Sequence, residues 1–150
     1  MKSFKGRVIV PSGSGKEVKA EALVSVQGFN TLASFQKALM FGDKQARCSD
    51  QNNPGIYGKA MAGKALCLPQ TIGSTTGGMV LFTACAMGIT PAAMLFSQTI
   101  DSLAAAGVIL SDVWTDNTIV AVDQLGDEFL QYVQDGMMVS VGPDGAVTVE

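Results

Sequence analysis

The chain has 150 residues, enough for one domain with a sizeable core, and a net charge of −3 with no basic patch, which argues against nucleic-acid binding. It contains no histidine, which excludes Ser-His-Asp and Cys-His chemistry, His-ligated zinc and a phosphohistidine role. Charged residues make up 15%, against a usual share of roughly 25%, so part of the surface is expected to lie under a partner.

Residues 4–10 alternate enough to predict a strand, followed by a flexible turn at 11–15. Residues 19–26 alternate alanine and valine with polar positions and read as a second strand. Residues 28–34 are loop-like, and 35–41 fit a short helix or a strand equally. Residues 42–57 form the most polar segment, sixteen residues without a period, and loops of that length are often functional. From residue 63 the pattern becomes regular. A buried strand at 64–68 leads into a hydroxyl-rich loop, and a helix at 77–87 ends at Gly88. A strand follows at 92–96. A short helix at 100–106 is expected to close at Gly107, with strand candidates at 108–110 and 118–122. Residues 124–134 read as an amphipathic helix with Leu125, Phe129, Leu130 and Val133 on one face. Residues 137–141 and 146–149 form a terminal hairpin across Gly142-Pro143-Asp144-Gly145. Helices alternate with strands mainly between 63 and 134, so the fold class is α/β, a single domain over 1–150.

The N-terminal residues precede an apolar run of only four, so no signal peptide is expected, and no apolar stretch reaches transmembrane length. Three cysteines, an odd count, argue against a disulfide framework and for a reducing cytoplasm. They also lack metal-ligand spacing. Cys67 and Cys85 lie in apolar runs and read as inert core residues, whereas Cys48, in the polar loop, is expected to be exposed. Met79, Met87 and Met94 are expected to fill the core. Asp101, before Ser102-Leu103, reads as a helix cap. Gly13-Ser14-Gly15-Lys16 suggests a phosphate loop but fails on spacing: Val10 stands where the first glycine is needed and Glu17 where a Ser or Thr is needed.

Gly73-Ser74-Thr75-Thr76-Gly77-Gly78 carries the strongest chemical signal. Three consecutive hydroxyls fenced by glycines precede a helix N-terminus, where free backbone N–H groups and the helix dipole favour an anion. Capping that helix needs only one hydroxyl. The remaining hydroxyls and glycines suit a close backbone approach to a carboxylate. Without histidine, any general base is a carboxylate, lysine, tyrosine, thiol or activated hydroxyl, and a serine oxygen in this field could serve.

The ordered blocks Gly58, Gly63-Lys64-Ala65-Leu66, Leu68-Pro69, Gly73-Ser74-Thr75-Thr76-Gly77, Gly88, Pro91-Ala92-Ala93 and Ala105-Ala106-Gly107-Val108-Ile109 resemble the small subunit of the aconitase X family. The resemblance covers roughly residues 4 to 123. It implies the swivelling β/β/α domain of the aconitase superfamily and a hydro-lyase reaction on a small carboxylic acid. It also implies a large partner subunit holding an iron centre or iron–sulfur cluster, with no metal bound by this chain. Ser74 would be the proton-abstracting base. Gly73, Thr75, Thr76 and Gly77, with Asp50 in the polar loop, would hold substrate. The family includes mevalonate 5-phosphate dehydratase small subunits and bacterial cis-3-hydroxy-L-proline dehydratases. Archaeal relatives have an arginine where this chain has Ile72, which favours a small hydroxy acid such as cis-3-hydroxy-L-proline over a phosphorylated substrate. Two other readings stand beside these: a non-catalytic subunit that only binds a carboxylate, and an isomerase acting on a larger acid.

Overall fold

A computed structural model describes residues 1–12 and 15–150; Gly13 and Ser14 of the discarded phosphate-loop motif lie outside the described residues. Eight strands form the main sheet: β1 (Lys2–Lys5), β2 (Arg7–Val10), β3 (Val18–Val24), β5 (Ala65–Leu68), β7 (Ala93–Phe96), β8 (Val120–Asp123), β9 (Met138–Val141) and β10 (Ala146–Val149). Their order is β1-β10-β9-β3-β5-β7-β8-β2. β3, β5, β7 and β8 run parallel at its centre, and all other pairings are antiparallel. β4 (Phe29–Asn30) and β6 (Thr71–Ile72) make a separate parallel pair.

β1 and β2 stand at opposite ends of that order, yet only Gly6 separates them in the chain. The sheet therefore curls until its two edges meet. Gly6 sits in the seam: its N–H donates to the Gly145 carbonyl at 3.0 Å, and a Cβ there would lie 2.5 Å from the Asp123 carbonyl oxygen. Inside the curl, one apolar core collects Ala65, Cys67, Leu95 and Val122 with Val139, Val147 and Phe129. The alternate residues of the same strands, Leu66, Leu68, Met94 and Phe96, face outward into a second core. That core is covered by α1 (Thr31–Phe41), α2 (Gly77–Met87) and α3 (Ser102–Trp114). Parallel strands buried on both faces read as unbroken apolar runs, which is why β5 and β7 were legible in the chain. α4 (Asp127–Tyr132) closes the inner core through Phe129.

Several expected elements differ. The predicted first strand is split in two at Gly6. Thr31 begins α1, inside the segment read as loop, because the Asn30 side chain caps it by accepting the Ala33 N–H at 3.0 Å. The helix predicted over 124–134 is only six residues. The largest correction is α3, which runs through Gly107 and the supposed strand 108–110. Its buried residues Ala104, Gly107, Val108 and Ser111 follow helical spacing. Gly107 is small because α2 crosses it: an added Cβ would meet the Gly78 carbonyl oxygen at 2.7 Å. Cys48 is buried, not exposed, since the polar loop folds back so that the Cys48 N–H donates to the Lys59 carbonyl. Met79 and Met87 are exposed on α2, and only Met94 of those three is core.

Candidate functional site

Three strand-to-helix connections meet at the carboxyl ends of the central parallel strands, where ligands bind in open α/β sheets. One leads from β3 to α1, one from β5 through β6 to α2, and one from β7 to α3. Together they line a cavity of about 120 Å³. The first supplies Thr31, the second Thr71, Ile72, Gly73, Ser74 and Gly77, and the third Asp101, Leu103 and Ala104. The N-termini of α1, α2 and α3 thus converge on one small space.

Two of these three helix ends are closed by side chains. Asn30 caps α1, and the Asp101 carboxylate caps α3 by accepting the Leu103 and Ala104 N–H groups, both at 3.0 Å. The α2 end has no side-chain cap, although Thr76 stands at the capping position. The hydroxyls are engaged with each other instead. Ser74 Oγ accepts the Thr76 N–H at 3.1 Å and lies 2.8 Å from Thr76 Oγ1. The Gly77 N–H donates to the Ser74 carbonyl at 3.1 Å. Donors aimed at the serine oxygen favour its charged form. The open α2 end favours a negative ligand group.

Gly73 fixes this loop. Its φ is 101°, and an added Cβ would lie 2.7 Å from the Asn30 side chain, which the α1 cap already holds. No other residue type satisfies both constraints. Asp101 ties the opposite wall together, since it also accepts a hydrogen bond from the Thr71 hydroxyl.

Residues 3–149 match the model of a family described as the aconitase X swivel domain. The chain belongs to that family. It is 33% identical over 92 residues to the phosphomevalonate dehydratase small subunit of Aeropyrum pernix, a match covering 61% of this chain and 64% of that one. It is 31% identical over 98 residues to the phosphomevalonate dehydratase small subunit of Methanothermobacter thermautotrophicus, covering 65% and 69%. The match therefore spans just under two thirds of the Aeropyrum relative's length. Among solved structures, the crystal structure of Thermococcus kodakaraensis aconitase X in its holo-form superposes with a TM-score of 0.79 at 27% identity, covering 100% of this chain and 99% of that one. The solution NMR structure of a UPF0107 protein has the same fold, with a TM-score of 0.77 at 24% identity and 99% coverage of each chain.

In this aconitase X swivel domain, Gly73, Ser74 and Gly77 of the expected site line the cavity. Thr75 and Thr76 are exposed beside it, outside its lining. Asp50 is not brought to the cavity: it is buried in the polar loop and accepts the Asn52 N–H at 3.0 Å. Thr31, Thr71 and Leu103 were not legible as site residues. Thr31 and Leu103 lie in the other two connections, and Thr71, three residues before Ser74, falls outside the glycine-fenced run. Asp101 was legible only as a cap. Among the described residues no group of three or more His, Cys, Asp or Glu could hold a metal ion. Cys48, Cys67 and Cys85 are buried, and burial pushes all three thiols up from their ordinary pKa. Among the described residues, no helix is long and apolar enough to cross a membrane.

Proposed function

We propose that this chain is the small subunit of a two-subunit aconitase X-type hydro-lyase that dehydrates a small hydroxy acid, cis-3-hydroxy-L-proline being the preferred substrate. The observation that carries the reading is the uncapped N-terminus of α2, with Ser74 beside it in the cavity while the two neighbouring helix ends are closed. A substrate carboxylate at that end accepts backbone N–H groups and sits in the positive field of the helix. Ser74 Oγ, held as the alkoxide by the Thr76 N–H and hydroxyl, then takes the proton from the carbon next to the carboxylate; the C–H electron pair stays on that carbon, and the serine returns to its neutral hydroxyl. In this reading the iron centre belongs to the large subunit.

The cavity lining favours the non-phosphorylated substrate. Among the described residues it contains Ile72 and Asp101 but no lysine or arginine, and a phosphate without a cationic partner is poorly held. The second reading, a phosphomevalonate dehydratase small subunit, is favoured by the names of both curated relatives. Dependence on a partner is supported by an uncharged stripe that starts at the cavity rim. Leu103 lines the cavity, and Ala106, Leu110, Val113 and Trp114 continue its face along α3 beside Met79 and Phe82 of α2. The two helices together carry one charged residue, Asp112. The large subunit that completes the site has to reach the cavity mouth, and so covers this stripe. Three buried, unpaired thiols suit a reducing cytoplasm.

The test is Ser74→Ala in the reconstituted two-subunit complex, assayed with both substrates. Loss of a positioned base lowers turnover by about 10²- to 10⁴-fold while the subunits stay associated. An undiminished rate removes Ser74 as the base. A large subunit that is fully active alone makes this chain regulatory.

A further inference from the structure

We propose that Asp101 selects substrates carrying a protonated amine next to the carboxylate, so that the cavity reads a zwitterion. This rests on the hydro-lyase reading above and names the residue that makes the choice. Among the described residues lining the cavity, Asp101 supplies the one charged side chain, and it faces the same space as Ser74 and the open end of α2. The cavity therefore has two poles. The α2 end is positive and takes a carboxylate, and the Asp101 wall is negative and repels a second anion.

Capping α3 does not use up the carboxylate. Oδ2 accepts the Leu103 and Ala104 N–H groups, whereas among the described residues Oδ1 accepts the Thr71 hydroxyl alone. A carboxylate has about four lone-pair sites, so Oδ1 retains one for a ligand donor. The helix end and Thr71 hold the group in one orientation, and the cavity is too small for a single bound molecule to avoid either pole. Ile72, Leu103 and Ala104 form the rest of this wall. They offer an ammonium group no competing acceptor side chain and lower the local dielectric around the pair.

The experiment uses the two-subunit holoenzyme with cis-3-hydroxy-L-proline as substrate and cis-2-hydroxycyclopentanecarboxylate as inhibitor. The inhibitor has the same ring size, hydroxyl and carboxylate, with a methylene in place of the ammonium. Asp101→Asn keeps a capping oxygen and turns an amide N–H toward the Thr71 hydroxyl, which can accept it, while removing the charge. The proposal expects KM for the amino acid to rise by about 10- to 100-fold, the loss of one hydrogen bond to a charged group. The Ki of the uncharged-ring inhibitor should stay within about threefold, since neutral binding does not use the lost charge. An unchanged KM, or equal weakening of both molecules, overturns the proposal and leaves Asp101 a cap. Ser74→Ala, run alongside, reports on the underlying reading. A wild-type enzyme that ignores the amino acid and dehydrates a phosphorylated hydroxy acid overturns that reading's substrate and this inference together.

Discussion

Gly78→Ala tests whether the crossing of α2 and α3 sets the width of the cavity. A Cβ on Gly78 would lie 2.6 Å from the Leu103 carbonyl oxygen, and ordinary contact begins at 3.4 Å, so the backbones must part by about 0.8 Å. No rotamer relieves a clash of Cβ with main chain. In an unconstrained helix the change from glycine to alanine is worth about 1 kcal/mol in favour of alanine. Overpacking typically costs about 1–3 kcal/mol. Here the whole clash falls on backbone, so the net expectation is a destabilisation of about 1–2 kcal/mol. For a domain of this size that lowers Tm by about 3–6 °C. Gly77→Ala is the control: its Cβ would meet Thr31 at 3.7 Å, an ordinary contact. Its Tm is expected to stay level or rise. Thermal and urea unfolding of the full chain, followed by circular dichroism, measure both. A Gly78→Ala protein that melts at or above the wild type refutes the argument. Because Leu103 and Gly77 line the cavity, the same substitution is expected to widen it and weaken substrate binding in the complex.

Three further outcomes are expected. Cys48, Cys67 and Cys85 are buried with raised pKa, so a thiol reagent at pH 8 should modify none of them in the native chain and all three in denaturant; rapid native labelling of Cys48 would contradict its burial. The Lys5 ammonium and the Ala146 N–H hold the Asp144 carboxyl below its ordinary value of 3.8. Its stabilisation is present above that value and lost as pH falls through the depressed one, so acid unfolding followed below about pH 4 should be shallower in Asp144→Asn. Val113→Glu and Trp114→Glu place a charge on the exposed α3 stripe. They should leave the melting temperature of the isolated chain within about 2 °C, while weakening co-purification with the large subunit at least about tenfold; unchanged co-purification would remove that face from the interface.

Much of this protein was legible in its sequence because the signals were local. β5, α2, β7 and the terminal hairpin follow from apolar runs and from Gly88 and Gly145, which are all short-range features. The Gly73–Gly77 loop was legible for the same reason: hydroxyls, glycines and the following helix are contiguous. What failed was non-local. Val108-Ile109-Leu110 has strand-forming composition, and only the Gly78–Gly107 crossing makes it helical. Cys48 sits among polar residues and is buried only because its loop folds back.

The ordered blocks of the sequence alone pointed to the family, and the absence of histidine left a carboxylate, lysine, tyrosine, thiol or activated hydroxyl as the candidate base. The tertiary structure decided which helix end is open. Asn30, Thr76 and Asp101 all precede helices and all look like caps in the chain, since capping residues are recognised by type. Whether a side chain turns inward to its own helix depends on the neighbours that hold it. Asn30 and Asp101 do so, and Thr76 engages Ser74 instead, leaving α2 uncapped. The same packing carried Asp101, 27 residues from Ser74, to the opposite wall of one cavity. Folding at the carboxyl ends of three parallel strands made that meeting, and no local pattern encodes it.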